Sequence, residues 1–181
     1  IAQSVGAVMV ATWVHDYAPA IRGLVLASPA FKVKLYVPLA RPGLALWHRL
    51  RGLFFINSYV KGRYLTHDRQ RVASFNNDPL ITRAIAVNIL LDLYKTSERI
   101  IRDAAAITLP TQLLISGDDY VVHRQPQIDF YQRLRSPLKE LHLLPGFYHD
   151  TLGEENRAQA FEKMQSFISR LYANKSQKFD Y

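Results

Sequence analysis

The sequence predicts an α/β protein: a mostly parallel sheet flanked by helices, interrupted by a helical insertion. Three observations predict it. Short apolar runs at 22–26, 111–115 and 140–144 read as buried strands. Segments of helical pattern alternate with them. The strand-like ends also carry hydrolytic chemistry in the order serine, acid, histidine.

In chain order, residues 1–3 read as the end of a strand. Residues 5–17 read as a helix whose small residues Gly6, Ala7 and Ala11 let it lie close on a sheet. The 22–26 strand is stopped by Ala27-Ser28-Pro29. Segment 31–107 breaks the alternation with Pro38, Pro42, a Leu/Trp/Arg stretch at 44–54 and the turn-like Asn76-Asn77-Asp78-Pro79. A long helical pattern at 80–106 follows, with Ile85, Ile89, Leu93 and Ile100 on one apolar face. Strand 111–115, a helix over 126–134, strand 140–144 and a closing helix over 154–172 resume the order. The closing helix aligns Phe161, Met164, Phe167, Ile168 and Leu171, with Glu154 and Glu155 in a first turn that favours anions. Residues 174–181 are polar and linker-like. The organisation is therefore core at 1–30, an inserted cap at 31–107, core at 108–173 and a tail at 174–181.

The 181 residues suit one domain, and 49% hydrophobic content with 21% charge suits a folded chain. The absence of cysteine excludes a disulfide scaffold and a thiolate metal site. No apolar run reaches the ~18 residues of a membrane span, and no signal peptide or Gly-rich phosphate loop is visible. No cofactor and no metal are expected.

The net charge of +8 is concentrated. Nine basic residues lie between Lys32 and Arg71, with Asp68 as the one acid there, and the remaining fourteen bases and fourteen acids cancel. The same block holds Tyr36, Trp47, Phe54, Phe55, Tyr59 and Tyr64. It reads either as a contact for an anionic membrane surface, through Arg49, Arg51, Lys61 and Arg63, or as a solvated charged face.

A serine hydroxyl needs a histidine to take its proton and a carboxylate to hold the imidazole. Ser4 lies between Ala2 and Gly6 just before a helix. A tight strand–turn–helix elbow demands such small residues two before and two after the nucleophile. The match is A-x-S-x-G rather than G-x-S-x-G, and alone it arises often by chance. The Val5 N–H, in the first turn of the helix, is the natural oxyanion donor. Asp118-Asp119-Tyr120-Val121-Val122 follows a strand and offers the acid; one of the two aspartates is a solvated turn residue. Pro145-Gly146-Phe147-Tyr148-His149-Asp150 follows the next strand and offers the base. The other histidines (His15, His48, His67, His123, His142) lack this placement. The ordered coincidence of the three carries the reading.

These residues resemble the monoacylglycerol lipase, lysophospholipase and serine aminopeptidase group of α/β-hydrolases. Gln3-Ser4-Val5-Gly6 is similar to that group's nucleophile elbow, Leu24-Val25-Leu26-Ala27-Ser28-Pro29 to its next strand, and Asn77-Asp78-Pro79-Leu80 to an element at a cap helix. Residues 115–122 resemble the acid loop G-x-x-D-x-V-V, with Ser116 where glycine is usual. Gly146-Phe147-Tyr148-His149-Asp150 resembles G-x-x-H-E, with Asp for Glu. Alignment on the valines implies Asp119 as the acid and His149 as the base. The resemblance implies the C-terminal half of an α/β-hydrolase fold, with the front strands and the second oxyanion donor supplied upstream, and an isolated chain that is inactive. Some bacterial relatives continue into a methyltransferase-like domain, a junction that the polar tail would suit.

The implied activity is ester cleavage through an acyl-enzyme, on a lipid such as a lysophospholipid or monoacylglycerol. An acyltransferase or an amide or peptide hydrolase would use the same triad. A reading from another class is a non-catalytic basic module for anionic surfaces or nucleic acid; no nucleic-acid motif is present, so nucleic acid is not the expected partner. The expected location is the cytoplasm, with peripheral contact at the inner face of the membrane.

Overall fold

The computed structural model describes residues 1–37, 39–58 and 60–176, with side chains through residue 173. Tyr59, counted above in the basic block, and 177–181 of the polar tail lie outside the described residues. The elements are β1 (Ala2–Gln3), α1 (Ser4–Tyr17), β2 (Leu24–Ala27), α2 (Ala40–Arg51), β3 (Phe55–Asn57), α3 (Arg69–Asn77), β4 (Ala84–Ala86), α4 (Val87–Arg102), β5 (Thr111–Ser116), α5 (Gln125–Arg133), β6 (Lys139–Leu144) and α6 (Ala158–Ser176).

A four-stranded parallel sheet runs in the order β1-β2-β5-β6. Parallel strands covered on both faces are apolar at every position rather than alternately, and Leu24, Val25, Leu26 and Ala27 of β2 are all buried. Leu24 and Leu26 face one core with Leu113, against Ala7, Val8 and Ala11 of α1, Ile100 of α4 and Phe130 of α5. Val25, Ala27 and Leu114 face the other core, against Ala160, Met164 and Phe167 of α6. The sheet is thus the middle of three layers. The small residues of α1 let that helix approach closely, which sets the height of its N-terminus above the sheet edge.

Between β2 and β5 the chain leaves the sheet. α2, α3 and the antiparallel pair β3–β4 form there, with Ile56 opposite Ile85. The helical pattern expected over 80–106 is shorter than that. Residues 84–86 pair as β4, and α4 begins only at Val87. Its buried face is Val87, Leu90, Leu91, Tyr94, Ser97 and Ile100, whereas Ile89, expected on that face, is exposed. The apolar residues at 85 and 89 set the expected face about one position off, because Ile85 belongs to the strand.

The closing helix also starts later than expected. Residues 151–153 make a 3-10 turn, and Glu154 is extended (φ −68°, ψ 156°), so α6 starts at Ala158. Glu154 and Glu155 are therefore outside the helix. At the other end no Gly or Pro stops it, and it continues to Ser176.

Phe167 is fully buried between α6 and the sheet, while Leu80 is 90% exposed. Phe167→Ala should cost about 3–5 kcal/mol in a urea titration of the full-length protein. Leu80→Ala should stay within about 0.5 kcal/mol. Equal losses would show that the α6 face is not packed as described.

Candidate active site

All the candidate groups stand at the C-terminal ends of β1, β5 and β6, where loops of a parallel sheet converge. Ser4 is the first residue of α1 and has φ 55°, a left-handed conformation rare for a residue with a side chain. That strained turn joins β1 to α1 and lifts the hydroxyl off the sheet edge. Val5 follows within the first turn of α1, so its N–H has no intrahelical acceptor. Ala2 packs against the first core. A Cβ at Gly6 would meet nothing within 4 Å, so the described contacts do not impose the small residue expected there.

Ser4 Oγ lies 2.7 Å from His149 Nε2. His149 Nδ1 lies 2.8 Å from Asp119 Oδ2. With the proton assigned to Nδ1, the imidazole donates to Asp119 and leaves Nε2 to accept from Ser4 Oγ–H. His149 and Asp119 are both buried. The other Asp119 oxygen accepts from the N–H of Val121 at 2.7 Å and Val122 at 2.9 Å, so the carboxylate cannot rotate away from the ring. Asp118 is exposed, and its backbone N–H donates to the Phe147 carbonyl. The geometry therefore brings Ser4, Asp119 and His149 together and leaves Asp118 out. A hydroxyl, an imidazole and a carboxylate in this chain can move a proton off the serine without creating an unpaired buried charge.

The loops are tied by residues to which the sequence assigns no structural role. Gln3, beside Ser4, donates to Asp150 at 2.8 Å and accepts from the Leu152 N–H at 3.0 Å. Asp150 also takes Arg71 of α3 at 3.0 Å. Beneath them the Thr151 hydroxyl is 2.9 Å from that of Ser28 and 3.0 Å from that of Ser116. The serine at 116 thus joins a buried hydroxyl cluster under the histidine loop. Gly117 must be glycine for packing, because a Cβ would come within 2.9 Å of the Leu144 carbonyl and Pro145. Next to the acid loop, burial and then the charges of Lys32 and Lys34 push His123 below its usual value.

Glu154 is the largest omission. The sequence places it in the first turn of the closing helix, yet it precedes that helix and is 2% exposed. Its Oε1 accepts from the Tyr148 N–H and His67 Nδ1, both at 2.8 Å. Its Oε2 accepts from the N–H of His67 at 3.0 Å and Glu155 at 2.9 Å, with the Thr66 hydroxyl 3.2 Å away. Burial pushes its carboxyl up, but these donors outweigh burial and hold it below the ordinary Glu value. The only sequence signal was an acid standing before the last apolar face.

The basic residues do not join this chain. None of Arg49, Arg51, Lys61 and Arg63 bonds to Ser4, Asp119 or His149. Among the described residues none has a carboxylate within 4 Å, whereas Arg41 and Arg71 pair with Glu98 and Asp150. Arg51 lies over the Trp47 ring and Arg63 over the Tyr64 ring. Lys61 and Lys34 line a largely apolar cavity of about 1040 Å³ between 33–44 and 56–64, which reaches the acid loop at Tyr120 and Val121. Among the described residues no group of three His, Asp or Glu side chains could hold a metal ion, and no described helix is long and apolar enough to cross a membrane.

A family model described as serine aminopeptidase, S33, matches residues 1–156. The chain is 97% identical over its whole length to the Escherichia coli (strain K12) protein YnbC, of which it spans 31%. It is 25% identical over 94% of its length to the phospholipase YtpA of Bacillus subtilis (strain 168), of which it spans 67%. The crystal structure of Paleococcus ferrophilus monoacylglycerol lipase superposes with a TM-score of 0.82 at 19% identity, over 92% of this chain and 66% of that one. This likeness shows the fold.

The Glu154 environment makes a pH prediction. Because the folded value is depressed, the stabilising contribution of the ionised carboxylate is full above the ordinary Glu value of 4.5. It is lost as pH falls through the depressed value. Melting temperatures taken from about pH 7 to about pH 2.5 should therefore fall on the acid side. Glu154→Gln should melt lower near neutrality and lose less on acidification. Parallel slopes in the two proteins would place the acid sensitivity elsewhere.

Proposed function

The chain belongs to the serine aminopeptidase S33 family of α/β-hydrolases, and from that premise we propose that it forms the C-terminal part of a serine hydrolase cleaving lipid esters. The observation that carries the proposal is the unbroken hydrogen-bonded chain from Ser4 Oγ through His149 to Asp119. In this reading Ser4 Oγ attacks the ester carbonyl carbon while its proton passes to His149 Nε2. Asp119 stabilises the imidazolium that forms. The Val5 N–H donates to the oxyanion. The carbonyl re-forms as the C–O bond to the leaving alcohol breaks, and His149 returns the proton to that alcohol. Water then attacks the acyl carbon as its proton passes to His149 Nε2; the bond from that carbon to Ser4 Oγ breaks, His149 returns the proton to Oγ, and the carboxylic acid leaves.

The lipid substrate class, a lysophospholipid or a monoacylglycerol, is supported by the large apolar cavity beside the acid loop, which has room for an acyl chain. YtpA, a relative that bears the name phospholipase, points the same way. The part of segment 31–107 ahead of α4 acts as the cap over the site, since Ile100 of α4 packs into the sheet core. Residues 174–181 act as the link to whatever follows. The front strands and second oxyanion donor come from outside this chain. In support, β1 is at the sheet edge, and Val5, Met9, Trp13 and Tyr17 form an exposed apolar stripe along α1. The isolated chain is accordingly inactive, and the activity belongs to the full-length protein.

The cap also contacts anionic membrane surfaces, from the cytoplasmic side. On α2, exposed Leu46 and Leu50 stand beside Arg49 and Arg51, an arrangement that suits an amphipathic helix lying on a bilayer.

A fluorophosphonate probe should label the full-length protein at Ser4, as mapped by mass spectrometry. Labelling that survives Ser4→Ala would end the proposal. Asp119→Asn should lower turnover by up to ~10⁴, and Asp118→Asn should lower it far less. The reverse ranking would assign the acid to the wrong aspartate.

Each basic residue near an anionic bilayer contributes about 1 kcal/mol. Neutralising Arg49, Arg51, Lys61 and Arg63 together should weaken sedimentation with anionic vesicles and reduce activity on anionic lipid dispersions. Hydrolysis of a short, soluble, neutral ester should hardly change. Equal loss on both substrates would show the block to be structural and would remove the membrane contact from the proposal.

A further inference from the structure

We infer that Glu154 is a positioning residue that clamps the His149 loop between the sheet and the 65–67 segment, holding the imidazole in reach of Ser4. The inference rests on the serine-hydrolase reading above. The His149 ring itself touches Ser4 and Asp119, but neither contact fixes the backbone that carries it. The backbone on both sides of His149 is held from elsewhere. The Tyr148 N–H on one side donates to Glu154 Oε1, and the Asp150 N–H on the other donates to the Leu65 carbonyl at 2.8 Å. Thr66 Oγ1 donates to the Gly153 carbonyl at 2.9 Å, and the His67 ring stacks on Tyr148 with centroids 3.8 Å apart. Glu154 joins these two strips of chain, since its oxygens accept from His67 on one strip and from Tyr148 and Glu155 on the other.

A carboxylate is the group this site demands. All the donors point inward, and a carboxylate presents only acceptors. Glutamine has the same shape but must turn its NH₂ toward one set of N–H groups, whichever way the amide is flipped. One face of the clamp then opens, and either the Phe147–Tyr148 peptide or the 66–67 strip loses its anchor. Misplacing a reacting group by about 1 Å can cost a hundredfold in rate, so the loss should appear in turnover more than in substrate binding. The apolar cavity that would receive the acyl chain is lined by other residues.

The test uses the full-length protein and p-nitrophenyl butyrate as a soluble ester, with active sites counted by exhaustive fluorophosphonate labelling. Glu154→Gln should lower kcat per labelled site about tenfold to a hundredfold, with KM changed by less than about twofold. Thr66→Val and His67→Ala, which each remove part of the clamp, should lower kcat per labelled site by smaller factors. A Glu154→Gln protein that melts earlier but keeps its kcat per labelled site would overturn the inference, because Glu154 would then be structural only. If Glu154→Gln does not fold, the two partial variants decide. Reduced kcat in both supports the clamp, and unchanged kcat in both overturns it. A wild-type protein that takes no label would instead sink the serine-hydrolase reading beneath it.

Discussion

The ring of His149 has to meet a hydroxyl on one side and a carboxylate on the other, and it has to do so from a loop. Helices and strands fix their own side chains through repeated backbone bonds, but the 148–155 stretch has no such repeat beyond a single 3-10 turn. Its backbone donors and acceptors are satisfied one by one, by Glu154, by the Leu65 carbonyl, by Gln3 and by Thr66. Buried backbone groups without partners would each cost about 1–3 kcal/mol, so these bonds do two things at once. They keep a buried loop affordable in polar terms, and they leave the loop one conformation.

Strain collects at the same edge of the sheet. Ser4 and Ser28 both sit at positive φ, 55° and 38°, at the ends of neighbouring strands β1 and β2. Such conformations cost roughly 1–3 kcal/mol each and persist only where the surroundings over-determine them. At Ser4 the determinant is the helix that starts there, packed closely through Ala7 and Ala11. At Ser28 it is the hydroxyl cluster, in which Ser28 Oγ accepts from the Ser116 N–H and meets Thr151. The serine at 116, where glycine is usual in the resembled loop, has a local cause: its hydroxyl completes that cluster.

Much of this was legible in the sequence, and the legible part has a common cause. A buried parallel strand is a short apolar run, and the loop after it falls at a sheet edge, so Ser4, the Asp118–Asp119 pair and His149 could be placed at strand ends by position. The choice between Asp118 and Asp119 needed the two valines, and the structure gives the reason: their N–H groups fix the Asp119 carboxylate. Periodicity misled where a strand and a helix abut, as at Ile85 and Val87, because an apolar residue in one was counted on the face of the other. Glu154 was illegible for a different reason. A glutamate ahead of a helix is the ordinary signature of a solvated first turn, and nothing local distinguishes it from one buried by residues 66 and 67, nearly ninety positions away.

The segment that leaves the sheet between β2 and β5 is therefore not a separate layer laid over the site. Its start pairs with the acid loop: Val33 bridges Val122, the Lys34 N–H donates to the Val121 carbonyl, and Lys34 Nζ donates to the Asp119 carbonyl. Its middle grips the histidine loop through 65–67 and through Arg71 on Asp150. The loop that holds the Asp119 carboxylate and the loop that carries His149 are each braced by this one segment. The sheet alone orders the strand ends, but the spacing between the loops is set by chain that lies outside it. Shape changes in the segment on meeting a substrate or a surface would consequently reach Asp119 and His149 through backbone hydrogen bonds, without passing through the core.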